Sequence, residues 1–347
     1  MSAFVVFRVV RAGGFWGLLK WAVGLRMVLS LAVWKEMCGV SAMTVLGAVP
    51  VDELGVTQMH EHVLANSDYD GNDYNLVMDD VEVATREVEY FKAAGGNTIV
   101  DLSCVGLGRD AAGLRRIAER TGVHVIACTG FYRECSYPAY AREETADQLA
   151  RRMIREHREG IDDTGVRPGI LAEIATEYGV GKMSVGEEKV FTAVAYAQVE
   201  TGMPVSTHCW AGELAHEQIA VLTRNGVSPG KIVIGHLAVD GTAEARIPKI
   251  AEKGVFLGID CIGYAYERVV VMKDAERARL VRRLIDAGFL NQITMSQDVA
   301  RKLLLKHYHG IGYEYLLRRF VPMLRDNGVT QEQIHTILVE NPKRAFA

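Results

Sequence analysis

Two histidines separated by one residue stand near the start of the main part of this 347-residue chain. His60 directly follows residues 56–59, a run typical of a buried strand, and His62 lies two residues further on. Side chains two apart on a strand point the same way, so both imidazoles can bind one metal ion. Imidazole nitrogens suit zinc and other divalent transition metals. The pair alone is weak evidence, because surface and core histidines are commoner than metal ligands.

The elements that position this pair belong to a regular alternation. From residue 56 onward, short β-branched runs alternate with longer amphipathic segments that close near glycine, which predicts a parallel sheet covered by helices. The predicted strands are residues 56–64, 97–103, 124–131, 169–176, 204–209, 231–237, 255–262 and 293–299. The predicted helices include residues 79–94, 142–160, 185–202, 211–226 and 275–288.

Eight strand-helix units without a long linker predict the α/β class and one closed (β/α)8 barrel, a TIM barrel, rather than an open doubly wound sheet. The chain length allows a single large core of this kind. No GxGxxG motif follows the first strand, so a dinucleotide-binding domain lacks its main support.

Catalytic residues of such a barrel lie at the carboxyl ends of its strands, and five predicted strands end in metal-ligand types. One strand-end histidine or aspartate is more often a hydrogen-bonded structural residue. Agreement between five strands instead predicts a shared site at the C-terminal face. The residues are His60 and His62 on the first strand, Glu173 on the fourth, His208 on the fifth, His236 on the sixth and Asp298 on the eighth.

Six motifs make the chain similar to a known family from Thr44 to Ala347. They are residues 57–62 (TQMHEH), 108–110 (GRD), 129–132 (TGFY), 235–236 (GH), 296–298 (SQD) and 341–346 (NPKRAF). Together they resemble the phosphotriesterase-related branch of the amidohydrolase superfamily. The resemblance implies a binuclear metal centre at the C-terminal face of the barrel.

The resemblance also implies which residue holds which ion. His60, His62 and Asp298 would bind the more buried ion, and His208 and His236 the more exposed one. Glu173 would bridge the two. Many members have a carboxylated lysine at this position, and this chain departs from that pattern with a glutamate, as some lactonase-like relatives do. A carboxylate likewise offers two oxygens and one negative charge. Zinc is the default metal, and manganese, cobalt and iron fit the same nitrogen and oxygen ligands.

Two dications beside one solvent oxygen lower its pKa far enough to give hydroxide near neutral pH, which is the predicted nucleophile. One ion also polarises the carbonyl or phosphoryl oxygen of the substrate. Asp298 is the predicted catalytic residue that passes the proton to the leaving group. The alternative is that Asp298 is a ligand only.

The predicted activity is hydrolysis of an ester-like bond in a lactone or other carboxylic ester, phosphorylated ones included, with phosphotriester turnover at most a side activity. The first alternative is an amidase or deacylase acting on an N-acyl amino acid. The second is a non-catalytic metal-binding barrel, against which the complete ligand set argues.

Four side chains beyond the strand ends are predicted to bind the substrate. They are Tyr132, Arg133, Tyr264 and Arg301. A phenol can donate to a carbonyl oxygen, and a guanidinium can pair with an anion. Tyr266 and Arg268 hold similar positions after the seventh strand. The alternative for each is a packed tyrosine or a surface arginine.

Residues 1–42 are apolar and aromatic, with interspersed basic residues and no acidic residue before Glu36. Charges interrupt every stretch before the roughly 20 apolar residues of a membrane-spanning helix. The segment also lacks the single apolar core of a secretory signal, and its glycines weaken an amphipathic membrane anchor. We interpret residues 1–42 as an upstream extension, with Met43 as the natural start and residues 43–347 as one barrel domain.

Charge and cysteines limit the partners and the compartment. The formal net charge is −4, and no basic stripe is present to follow a phosphate backbone, so nucleic-acid binding has no support. The six cysteines form no CxxC pair and are typical of reduced thiols in a cytoplasmic protein. We expect a small-molecule substrate, no membrane partner and, as relatives suggest, a homodimer.

Overall fold

The computed structural model describes residues 40–264 and 272–347. The predicted N-terminal extension therefore lies outside the described residues, except for residues 40–42. Tyr266 and Arg268 also lie outside them. The described chain starts with a hairpin of strands Ser41–Thr44 and Gly47–Pro50, which spans the predicted domain boundary. That boundary stays a prediction.

Eight strands form the barrel, each inside the residues predicted for it. The ends of the predicted runs are irregular backbone that leads into the loops. The strands are β1 (Thr57–Glu61), β2 (Thr98–Asp101), β3 (His124–Ile126 continued by Cys128–Thr129), β4 (Ile170–Ala175), β5 (Val205–His208), β6 (Ile232–Ile234), β7 (Phe256–Ile259) and β8 (Ile293–Met295).

Each strand pairs in parallel with the next along the chain, from β1 to β8. The ring closes between β8 and β1, where Asp298 N donates to His60 O at 3.1 Å. Ser296 Oγ also accepts from His60 N at 2.9 Å. Closure brings the first and last strand ends together, so His60 and Asp298 become neighbours although they are far apart in sequence.

Helices cover the outside of the ring. They are α1 (Val81–Ala93), α2 (Ala111–Thr121), α3 (Ala139–Glu143), α4 (Ala146–Glu159), α5 (Val185–Thr201), α6 (Ala215–Arg224), α7 (Ile247–Ala251), α8 (Asp274–Asp286), α9 (Leu316–Phe320 continued by Val321–Asp326) and α10 (Gln331–His335 continued by Thr336–Glu340 and Asn341–Phe346). Among the described residues, none of these helices has the length and apolar character needed to span a membrane.

Local sequence explains where several helices begin and end. Asp80 accepts from Glu82 N and Val83 N at the start of α1, and Ser184 forms a capping box with Glu187 at the start of α5. Gly202 ends α5 with φ of 74°, a left-handed conformation that glycine adopts without a steric penalty. These signals agree with the predicted boundaries of α1 and α5. The helix predicted over residues 211–226 begins only at Ala215, and the one predicted over residues 142–160 is divided between α3 and α4.

The barrel interior is packed with side chains rather than open. Met59, Val100, Ile126 and Ile170 are buried inside the ring. Phe346, from the C-terminal motif, belongs to the same cluster. Because the interior is filled in this way, a ligand has access only at the mouth formed by the carboxyl ends of the strands.

Candidate metal centre

Four imidazoles converge on the carboxylate of Glu173 at the mouth of the barrel. His208 Nδ1 lies 2.7 Å and His236 Nε2 3.1 Å from Glu173 Oε1. His60 Nε2 lies 3.2 Å from the same oxygen, whereas His62 Nε2 lies 3.5 Å from Oε2. Glu173 is therefore in contact distance of histidines from β1, β5 and the end of β6.

Asp298 completes the cluster from the β8 side. Its Oδ1 lies 3.3 Å from His62 Nε2 and 3.7 Å from His60 Nε2. The six predicted ligands thus lie together. Asp298 lies beside the two β1 histidines, and Glu173 lies between them and the pair His208 and His236. The division of these residues between two ions stays a prediction.

The donors present fit two divalent ions that share Glu173. Ligand atoms of His60, His62 and Glu173, and separately of Glu173, His208 and His236, lie within 4.8 Å of one another. His60 Nε2 is buried and makes no hydrogen bond to any residue of the described chain. A buried imidazole nitrogen without a hydrogen bond, among carboxylates, is explained by a ligand role.

The electrostatics of the cluster favour cations. Burial opposes a charged histidine at His62, but the hydrogen bond to Asp298 and the negative charge of Glu173 raise its pKa to about 9. Burial raises the pKa of Glu173, yet the histidines around it lower that pKa well below its ordinary value. Two carboxylates thus hold a negative potential in a buried site, and metal ions would replace the protons that this potential attracts.

Asp260 supports two of the ligands and was not among the predicted site residues. It follows β7, and its Oδ1 lies 2.8 Å from His236 Nδ1 while Oδ2 accepts from His236 N at 2.9 Å. Asp260 Oδ2 also lies 3.4 Å from His60 Nδ1. Burial raises the pKa of Asp260, but the charge and hydrogen bonds of His236 lower it to about 2. A carboxylate on Nδ1 leaves Nε2 of His236 for a metal. The strand-end rule could have found Asp260.

Glu61, the middle residue of the first motif, positions Asp298. Its side chain is buried on the opposite side of β1 from the two histidines. It accepts from Ser296 Oγ at 2.7 Å, from Gln297 N at 2.6 Å and from Val299 N at 2.8 Å. These bonds hold the backbone on both sides of Asp298, whose own φ is 56°.

The glycine of the GH motif is required by close packing. A Cβ on Gly235 would lie 2.5 Å from Thr207 O and 3.3 Å from His60 Nδ1. Any larger residue would therefore push β5 or His60 out of place.

Three of the four predicted substrate-binding residues line the cavity above the metal ligands. This cavity has a volume of about 170 Å³ and includes Tyr132, Tyr264 and Arg301 in its wall. The Tyr264 hydroxyl donates to the backbone oxygen of Asp298, so this phenol also positions a ligand. Arg133 lies apart, in an outer cavity, where its guanidinium pairs with Glu177. Their roles in substrate binding stay predictions.

Trp210 and Cys261 also line the inner cavity and were not among the predicted site residues. Cys261 Sγ lies 3.5 Å from Asp298 Oδ2. Trp210 stacks on His208, with ring centroids 6.2 Å apart. Trp210 directly follows a predicted strand and Cys261 lies near the end of one, and these positions are the sequence signal for them.

The sequence profile of the Phosphotriesterase family matches residues 40–346. The chain belongs to the phosphotriesterase family. The predicted family, barrel and hydrolase class are confirmed, and the metal-ligand roles of the six residues stay predictions.

Two relatives and a solved structure show how far the similarity extends. The phosphotriesterase homology protein of Escherichia coli is 32% identical over 295 residues, which are 85% of this chain and 99% of that protein. The N-acetyltaurine hydrolase of Xenopus tropicalis is 30% identical over 338 residues, covering 87% of this chain and 96% of the relative. The crystal structure of a lactonase from Listeria monocytogenes has a TM-score of 0.81 at 28% identity, and the match covers 88% of this chain and 99% of that one.

Proposed function

We propose that this member of the family hydrolyses a small carboxylic ester, lactones included, that carries an anionic group. The observation that carries the proposal is the buried six-ligand cluster opening into a cavity of about 170 Å³ whose wall includes Arg301. Drug-sized ligands occupy about 300–1,000 Å³. A space this small suits a compact acyl compound better than a triester with three large substituents, so phosphotriester turnover is proposed only as a side activity.

His60, His62 and Asp298 would hold one divalent ion and His208 and His236 the other, with Glu173 between them. The chemistry that two such ions supply is activation of water and polarisation of the carbonyl oxygen. Zinc is the proposed metal, because four imidazoles and two carboxylates are common zinc ligands.

The chain's own groups supply proton transfer and orientation. Asp298, which is 9% exposed, faces both the ligand cluster and the cavity, so its carboxylate can accept a proton from water and deliver it to the leaving group. Burial raises the pKa of Tyr132 well above its ordinary value, which keeps its phenol protonated as a hydrogen-bond donor to the substrate. The guanidinium of Arg301 can pair with a carboxylate, phosphate or sulfonate on the substrate.

An amide is the second candidate for the scissile bond. The observation in its favour is that a curated relative covered over 96% of its length is named N-acetyltaurine hydrolase. Amide cleavage depends more strongly on protonation of the leaving nitrogen, and Asp298 is placed to supply that proton. The anionic sulfonate of such a substrate would also suit Arg301.

A hydrolysis screen of the metal-loaded protein tests the proposal. A pH indicator reports acid release from the esters, lactones and the phosphotriester, and an amine-reactive dye reports the amine released from the amides. The panel contains lactones, phosphorylated lactones, N-acyl amino acids, one phosphotriester, and the matched pair N-acetyltaurine and O-acetylisethionate, which differ only in the scissile bond. We expect acid release from the ester or lactone members and none from a Glu173→Ala variant, because that variant loses the carboxylate shared by all four histidines.

The results of this screen distinguish the ester, amide and binding-barrel hypotheses. Turnover of N-acetyltaurine without turnover of its ester counterpart would replace the ester proposal by the amide one. Two bound metal ions per chain with no hydrolysis of any panel member would refute the proposal and favour a binding barrel. An Arg301→Ala variant should raise KM for anionic substrates and leave KM for an uncharged lactone unchanged.

A further inference from the structure

Two cavities lie side by side at the mouth of the barrel. The inner cavity of about 170 Å³ contains the metal-ligand cluster and Arg301. The outer cavity of about 570 Å³ is formed by the loops that follow β3 to β6. Tyr132, His208 and Trp210 line both. These three side chains therefore form the wall between the two spaces.

Trp210 is the residue of this wall that is neither a predicted metal ligand nor a predicted substrate-binding residue. Its indole stacks on His208 at a ring-centroid distance of 6.2 Å and an interplanar angle of 30°. It also lies 5.7 Å from the ring of His236. The indole thus packs against both ligands predicted for the more exposed ion.

The turn that carries Trp210 is held firmly. Ala211 has a φ of 52°, its N–H donates to His236 O at 3.0 Å, and its carbonyl accepts from Arg246 Nη1 at 3.0 Å. A Cβ on Gly212 would lie 3.0 Å from neighbouring side chains. Because both sides of Ala211 are bonded, the backbone that carries the indole is held in place.

Trp210 and Arg301 lie on different sides of the mouth, after β5 and β8 respectively. If Arg301 pairs with the anionic group of the substrate, the acyl group at the metal centre extends towards Trp210. The indole is then the part of the wall that lies between the end of that acyl group and the larger outer cavity.

We propose that Trp210 is a specificity residue that restricts the substrate to short acyl groups by closing the inner cavity against the outer one. The proposal deepens the proposed function and rests on it for the identity of the reaction. It predicts that shortening this side chain joins the two cavities and admits long aliphatic acyl groups without changing the metal ligands.

The test compares the metal-loaded wild-type protein with Trp210→Ala and Trp210→Phe. Tyr178→Ala is the matched control, because Tyr178 is 57% exposed and lines only the outer cavity. The first readout is binding of the carboxylates from acetate to octanoate, measured by isothermal titration calorimetry at equal metal content. The second is kcat/KM for the corresponding acyl esters.

We expect wild-type affinity to stop rising after the shortest carboxylates. In Trp210→Ala it should continue to rise by about fourfold for each newly buried methylene. Trp210→Phe should shift the same way by less, and Tyr178→Ala should match the wild type. Identical chain-length profiles in all four proteins would overturn the proposal. So would an equal shift in Tyr178→Ala, or a failure of every protein to bind any carboxylate.

The two readouts distinguish this inference from the proposed function. A shift in carboxylate binding in a protein that hydrolyses no ester would support the wall and refute the ester activity. Ester hydrolysis with the same chain-length preference in wild type and Trp210 variants would support the activity and refute the wall.

Discussion

Replacement of Asp260 by asparagine tests whether the carboxylate behind the histidines tunes the metal centre. Asp260 is 1% exposed and contacts His236 through both oxygens, at 2.8 Å from Nδ1 and 2.9 Å from the backbone nitrogen. Asparagine keeps the shape but removes the negative charge, so His236 Nε2 becomes a weaker electron donor. It also offers an NH2 group where one of the oxygens now accepts.

Loss of a carboxylate partner of this kind lowers metal affinity by about 10- to 100-fold. This range corresponds to about 1.4–2.8 kcal/mol of binding free energy. We expect the upper part of the range, because Asp260 Oδ2 also lies 3.4 Å from His60 Nδ1 and thus serves histidines of both predicted ions.

The assay is zinc competition against a chelator of known affinity, at fixed pH, on protein shown to be folded by circular dichroism. Asp240→Asn is the matched control, because the Asp240 carboxylate accepts from Thr242 and lies in the outer cavity. Wild-type zinc affinity in a folded Asp260→Asn protein would refute the argument that Asp260 tunes the ligands.

Three further predictions concern His62, Glu61 and Asn341. Nearby carboxylates raise the pKa of His62 to about 9, so protons compete with metal for this imidazole below that pH. Zinc affinity measured by chelator competition should therefore fall steadily from pH 9 to pH 6, and a flat profile would contradict a ligand role for His62. Glu61→Gln should lower the free energy of unfolding of metal-loaded protein by about 2–4 kcal/mol in a urea titration, because the carboxylate accepts three hydrogen bonds and an amide NH2 accepts none. The control Glu119→Gln, at an exposed position, should change this free energy little. Asn341→Ala should cost about 2–3 kcal/mol in the same titration, since the buried amide donates to Leu290 O at 2.8 Å and Ile293 O at 2.6 Å; a loss below about 0.5 kcal/mol would show that these carbonyls do not need it.

The cluster of candidate ligands could be predicted because, in a parallel barrel, residues at the carboxyl ends of the strands lie close together in space. Every strand ends at the same mouth, so a histidine or acid at a strand end is assigned to the site without knowledge of its neighbours. His60, His62, Glu173, His208 and His236 were found in this way, and Asp298 followed from its place after β8.

Supporting contacts were not predicted because they depend on distances across the barrel. Asp260 also ends a strand, but only the fold shows that it faces His236 rather than a metal or a substrate. Helix α2 contains Gly113, which lowers its helix propensity. Asp110 compensates by accepting from Gly113 N at 2.7 Å.

The sequence by itself determined the alternation of strands and helices, the family and the six candidate ligands, because these depend on local patterns and on residue types at strand ends. The tertiary structure decided the rest, because closure of β8 on β1 sets which side chains face each other. It separated Arg133, which pairs with Glu177, from Arg301, which lines the inner cavity. It also placed Trp210 between two cavities. A local pattern carries no information about such cavities, since their walls come from loops that are distant in sequence.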